Sequence, residues 1–140
     1  ARDLSRSHPG LRAGFDTDLP GWAEIDVCGS PFAVRGYTVH ADFGGDAALA
    51  RLRERMAARG LRLMLDFVPN HTAPDHPWAV DKPEYFVRGT DDDLARQPQN
   101  YTRRDTARGS VVFAHGRDPY FDGWPDTLQL DYRRPEVRAA

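Results

Sequence analysis

Apolar residues recur at helical spacing in one stretch of the chain: Leu49, Leu52 and Met56, with Ala48 and Ala57 beside them. Arg51, Arg53, Glu54, Arg55 and Arg59 take most of the remaining face. An apolar stripe opposite a charged face predicts an amphipathic helix. Asp46, just after Gly44-Gly45, reads as its N-cap, and Gly60 stands where a left-handed residue ends a helix. A nearly unbroken apolar run follows: Leu61, Leu63, Met64, Leu65, Phe67 and Val68, interrupted only by Arg62 and Asp66. Strands covered on both faces, as in parallel sheets, read this way. Helix, short turn and buried strand together predict an α/β unit.

The flanks lack that regularity. Residues 1–36 are rich in Gly, Pro and Asp and read as mostly loop. A short helix or turn is expected from Leu4 to Leu11, broken at Pro9-Gly10, and a short strand near Ile25-Asp26-Val27. Residues 72–127 hold many Pro, Asp, Gly and aromatic residues and no long amphipathic helix. One strand is expected there, from Gly109 to Ala114, turning at His115-Gly116, and an extended segment from Pro125 to Tyr132. Arg133-Arg134-Pro135-Glu136 reads as a helix start with Pro135 near the first helical position. No internal repeat or low-complexity segment is visible.

Composition narrows the functional classes. The hydrophobic, charged and aromatic shares of 40%, 29% and 11% are those of a globular protein, and the net charge of −2 gives no pull toward nucleic acid or an anionic membrane. No apolar run approaches the roughly 18 residues of a membrane span. Cys28 is the single cysteine, so no internal disulfide framework forms, which fits a reducing, cytoplasmic setting. No signal peptide is visible at the start of the chain. The two glycosylation sequons, Asn70-His71-Thr72 and Asn100-Tyr101-Thr102, read as chance matches. Oligomeric state cannot be read from the sequence.

The chemistry concentrates in Asp66-Phe67-Val68-Pro69-Asn70-His71, which closes the apolar run. It sets a carboxylate beside an apolar core, then an amide and an imidazole just beyond the expected strand. In α/β sheets and β/α barrels, ligands sit at the carboxyl ends of the strands. A lone Asp or His in such a place is more often structural, but the neighbouring sequence changes that balance. The string resembles the Asp-x-Val-x-Asn-His signature of α-amylase-type glycoside hydrolases (glycoside hydrolase family 13). Ser30-Pro31-Phe32-Ala33-Val34-Arg35-Gly36-Tyr37 resembles that family's Ser-Pro-Tyr-Ala-Val-x-Asp-Tyr loop. Asp42-Phe43-Gly44-Gly45 resembles its Asp-Phe-Gly-Thr, and Leu130-Asp131-Tyr132 with Pro135-Glu136-Val137 resembles its Leu-Asn-Tyr and Pro-Glu-Val. The four motifs stand in the family's order and span about residues 30–138.

The resemblance implies a (β/α)8 barrel, of which 140 residues are too few, since such barrels run to about 250 residues. The fold expected is therefore an α/β fragment of a TIM barrel carrying the second helix, the third strand and the start of the third helix. Residues 1–71 would be partial barrel with an N-terminal loop region. Residues 72–127 would be an irregular insertion after the third strand (domain B), and residues 128–140 the return to the barrel. The implied activity is retaining hydrolysis or transglycosylation of α-glucosidic bonds in α-glucans or α-glucosides.

Site residues follow from the same resemblance. His71 matches the histidine that hydrogen-bonds sugar hydroxyls in the −1 subsite, and Asp66 a carboxylate that organises it. Phe32 and Tyr37 fall at aromatic positions lining the same sugar, and Asn70 at a structural support that binds calcium in some members. Gly36 and Gln129 stand where many members have Asp, so no metal or other cofactor is expected. Asp91-Asp92-Asp93 reads as a solvated loop. Trp78, Tyr85, Tyr101, Tyr120 and Trp124 are candidate sugar platforms, though each more readily serves the insertion's own core. No catalytic residue is expected within this chain. Retaining glycosidases need two carboxylates about 5–5.5 Å apart, and the family's nucleophile motif, Gly-x-Arg-x-Asp, does not occur here. Two alternatives stand beside this reading. One is a sugar-binding relative without catalysis; the other is a metal-dependent barrel hydrolase using Asp66, His71 and His76.

Overall fold

The computed structural model describes residues 6–140, folded as two compact units. Of the described residues, one unit comprises 6–35 with Val68–Ala140, the other Gly36–Phe67.

Near the start of the larger unit lies helix α1, Pro9–Asp18. The sequence reading broke a short helix at Pro9-Gly10, and the structure has that break: residues 6–7 are helical, the helix stops at His8, and Pro9 starts a new one. Proline lacks only an N–H that would have no partner at this position, and its φ is already helical. Leu4, where the expected helix began, lies outside the described residues. Beyond α1 the chain folds back. Trp22 Nε1–H donates to Asp16 at 2.8 Å, and Arg12 and Arg6 both reach Glu24 at 3.1 Å. The strand expected at residues 25–27 is replaced by turn, with Ala23 N–H donating to Asp26 at 2.8 Å.

The core of this unit is built from two short antiparallel pairs. Strand β1, His71–Thr72, pairs with β4, Leu128–Gln129. Strands β2, Tyr101–Thr106, and β3, Gly109–Ala114, form a hairpin with Thr106 opposite Gly109. Gly109 has φ of 106°, a backbone that side chains other than glycine's tolerate poorly. Phe86, Phe113 and Leu128 are the largest fully buried side chains, with the two phenylalanine rings edge to face at 5.6 Å. Burying each ring contributes about 1.5–3 kcal/mol. Ala79 of helix α3, Pro77–Asp81, and Val137 of helix α5, Pro135–Ala139, close the same cluster. The expected strand at residues 109–114 and helix start at Pro135 are both present.

Helix α4, Asp91–Arg96, occupies the acidic run that the sequence suggested as loop. Thr90 caps it: its hydroxyl accepts from Asp93 N–H at 3.1 Å while Asp93 accepts from Thr90 N–H at 2.9 Å. Carboxylates in a first turn are favoured by the unpaired N–H groups there. The acidic run is therefore a helix start.

The smaller unit holds helix α2, Gly45–Ala57. Its N-cap is Gly44, with φ of 86°, and Asp46 instead accepts a bond from Val39 N–H at 2.8 Å. Gly60, with φ of 71°, ends the helix as expected: its N–H reaches Ala57 O, and Leu61 N–H reaches Met56 O, both at 3.0 Å. The expected buried strand at residues 61–68 does not form. Met64 is 92% exposed and Phe67 71%, and no strand among the described residues pairs with the segment. A parallel strand draws its ladder and its cover from neighbours on both sides, and without them an apolar run has nothing to become a strand against.

Candidate functional site

His71 is the centre of the best-formed polar site. It lies in β1, held by antiparallel pairing to Gln129, and its side chain is largely buried. Asn70 Nδ2 lies 3.2 Å from His71 Nδ1. With the amide as donor, Nδ1 accepts and the ring proton sits on Nε2. Burial holds the His71 pKa below its ordinary value, opposed by a hydrogen bond to the Phe32 backbone and by the Asp126 carboxylate. At neutral pH the imidazole is therefore uncharged and able to donate.

The ring sits in a half-open cavity of about 410 Å³, lined by Ser30, Phe32, Val68, His71, Trp124, Asp126 and Thr127. Every lining residue belongs to the larger unit. The Trp124 indole tilts over the imidazole at 5.3 Å between ring centres, and Phe32, 55% exposed, borders the cavity. Close packing fixes the histidine from behind: a Cβ at Gly116 would fall 2.8 Å from His71 Cβ. Only a glycine fits there.

Asn70 and Gln129 form a reciprocal amide pair. Asn70 Nδ2 donates to Gln129 Oε1 at 3.2 Å, and Gln129 Nε2 donates to Asn70 Oδ1 at 2.9 Å and to Asn70 O at 2.8 Å. The pair staples β1 to β4, and Tyr132 adds a bond from its hydroxyl to Pro69 O. Asp131 next to them is held ionised by Arg133, which donates to both its oxygens at 2.7 and 2.8 Å.

The remaining sequence candidates are placed as follows. Tyr37 and Asp66 lie in the smaller unit; Asp66 is exposed, and Tyr37 packs on Phe67 at 5.6 Å. His76, the third residue of the metal alternative, is spent on capping α3. Its Nδ1 accepts from Trp78 N–H at 3.2 Å, and burial lowers its pKa. Among the described residues no group of three His, Cys, Asp or Glu side chains could hold a metal ion. Trp78 and Tyr85 pack against the core, edge to face at 5.3 Å, as the plainer reading of the insertion's aromatics expected. Trp124 departs from it by lining the cavity, and Tyr120 is 86% exposed. Asp126 and Thr127 escaped the sequence reading altogether; the pairing of β4 with β1 and the bond from Gly116 N–H to the Thr127 hydroxyl carry them to His71.

Comparison with known proteins follows the geometry. The family model described as "Alpha amylase, catalytic domain" matches residues 34–138. An alpha-1,4-glucan:maltose-1-phosphate maltosyltransferase of Cereibacter sphaeroides is 38% identical over 66 residues, 44% of this chain and 10% of that protein. A salivary alpha-glucosidase of Aedes aegypti is 34% identical over 84 residues, 56% of this chain and 13% of that protein. The chain thus spans about a tenth of the length of these curated relatives. Among solved structures, isomaltulose synthase from Klebsiella sp. LX3 superposes with a TM-score of 0.57 at 22% identity, over 79% of this chain and 22% of that one. An alpha-amylase from H. orenii gives 0.51 at 24% identity, over 79% and 24%. At such identities the likeness is one of fold.

Proposed function

Because this chain belongs to the alpha-amylase catalytic-domain family, we propose that it is part of a retaining enzyme that hydrolyses or transfers α-glucosidic bonds in α-glucans or α-glucosides, and that its His71 cavity is one wall of the sugar subsite. The observation that carries the reading is the meeting of Phe32 and a neutral His71 in one half-open cavity. An aromatic ring offers its face to the C–H face of a sugar, and a neutral imidazole donates to a hydroxyl. In this reading a sugar hydroxyl takes over the bond that now ties His71 to the Phe32 backbone. The Asn70–Gln129 pair keeps the imidazole oriented. Support for Asp66 and Tyr37 as further substrate residues is the sequence motif alone.

Bond cleavage needs the paired carboxylates described above, and the nucleophile motif is absent from this sequence. The 140-residue chain is therefore expected to give no turnover of a maltooligosaccharide, measured as release of reducing sugar. In a longer enzyme containing the segment, His71→Ala is expected to lower kcat/KM by about 10²-fold, as loss of a hydrogen bond that strengthens in the transition state does. Turnover by the chain alone, or full activity of the alanine variant, would sink the proposal.

A further inference from the structure

Two lining residues, Trp124 and Asp126, are left unused by the sugar contacts proposed so far. The Trp124 backbone is held at both ends: its main-chain N–H donates to Gly116 O at 2.9 Å, and its carbonyl accepts from the Thr127 hydroxyl at 2.8 Å. Its indole stands over His71, and the residue borders the cavity with 37% of its surface exposed. Phe32 and Trp124 thus give the cavity two aromatic borders. Asp126 brings a carboxylate whose field acts on both His71 and His115, favouring their protonated forms. Among the described residues no hydrogen bond or ion pair engages that carboxylate, so its oxygens are available to accept from hydroxyls. The lining includes no Lys or Arg, and its one histidine is held neutral.

We propose that Trp124 and Asp126 make this cavity selective for an uncharged sugar ring and bar a phosphorylated one. The proposal rests on reading the cavity as a sugar site. An uncharged ring can lay its C–H face on the indole while its hydroxyls donate to the carboxylate. A phosphate ester at the same place brings up to two negative charges against Asp126 with no cation to meet them, in a partly dry cleft where repulsion is strengthened. A donor of the maltose 1-phosphate kind would have to carry its phosphate outside this cavity.

The test uses the 140-residue chain with glucose, glucose 1-phosphate and glucose 6-phosphate, read by saturation-transfer NMR and by perturbation of the Trp124 indole signal. Single-ring probes leave the phosphate no distant place to lie. Glucose is expected to bind, and both phosphates at least about tenfold more weakly, a gap of about 1.4 kcal/mol. Asp126→Asn should narrow that gap, because the amide keeps a hydrogen-bonding oxygen and loses the charge. Trp124→Ala should weaken glucose about tenfold, and Trp124→Phe should recover most of that loss. A sugar phosphate that binds as tightly as glucose overturns the proposal, as does a gap that Asp126→Asn leaves intact. If glucose fails to bind a chain whose NMR spectrum shows it folded, the reading as a sugar site falls, and the selectivity with it.

Discussion

Three histidines set the pH behaviour of the larger unit. Burial lowers the pKa of His71, His76 and His115 from the ordinary 6.5, although His115 Nδ1 also donates to Thr127 O at 2.9 Å. A folded-state pKa below the unfolded one means that the unfolded chain binds more protons as pH falls. The stability these groups contribute is thus present above pH 6.5 and lost as pH falls through their lowered values. Asp93 and Asp131 are also lowered, by bonds from Thr90 and Arg133, but their loss comes only below the ordinary 3.8. The urea midpoint of the chain is therefore expected to fall between about pH 7.5 and pH 5, and His115→Gln should flatten that fall. A midpoint that holds steady or rises on acidification would refute the assignment. At this scale His71 and Phe32 were legible from motif resemblance alone. Asp126 was not, because a lone Asp between Pro125 and Thr127 looks like any turn residue until a strand pairing carries it to the imidazole.

Short elements lean on their caps. Helix α4 has six residues and none of them buried, so its own propensity cannot sustain it. The Thr90–Asp93 box and the ion pair from Arg103 to Asp91 hold it to the hairpin. Thr90→Ala is expected to cost about 1 kcal/mol of unfolding free energy and Thr90→Ser only a few tenths. The idea fails if the two variants unfold alike in denaturant titrations. Elements with local punctuation were readable: Gly60 ends α2, Pro135 begins α5, and the short apolar run from Val111 to Ala114, bounded by Gly109 and Gly116, marks β3. The acidic run was misread because a string of like charges says loop, whereas a threonine just before it says helix start. The segment at residues 61–68 was misread for the opposite reason. Its pattern is that of a strand covered on both faces, and no strand among the described residues pairs with it.

At the scale of the whole molecule, the apolar run is a liability. Leu61, Met64, Leu65 and Phe67 are each more than half exposed, and residues 61–69 make no ladder. Backbone outside any strand ladder, beside exposed apolar side chains, is a template for association with another copy. The chain is expected to self-associate as concentration rises and to bind a hydrophobic dye, and a double change of Met64→Lys and Phe67→Lys should suppress both. Light scattering after size exclusion checks this; a monodisperse monomer at high concentration would show the run to be covered.

Sequence by itself determined the family, since four motifs in order define it without any fold in view, and it determined the elements whose signals lie within a few residues of each other. Tertiary structure decided which residues share the cavity. Trp124, Asp126 and Thr127 lie more than fifty residues from His71, and the antiparallel pairing of Thr72 with Leu128, with Gly116 bonded to Trp124 and Thr127, brings them together. Such pairing depends on burying Phe86, Phe113 and Leu128 in one cluster. That is a property of the packed chain, which no local pattern contains.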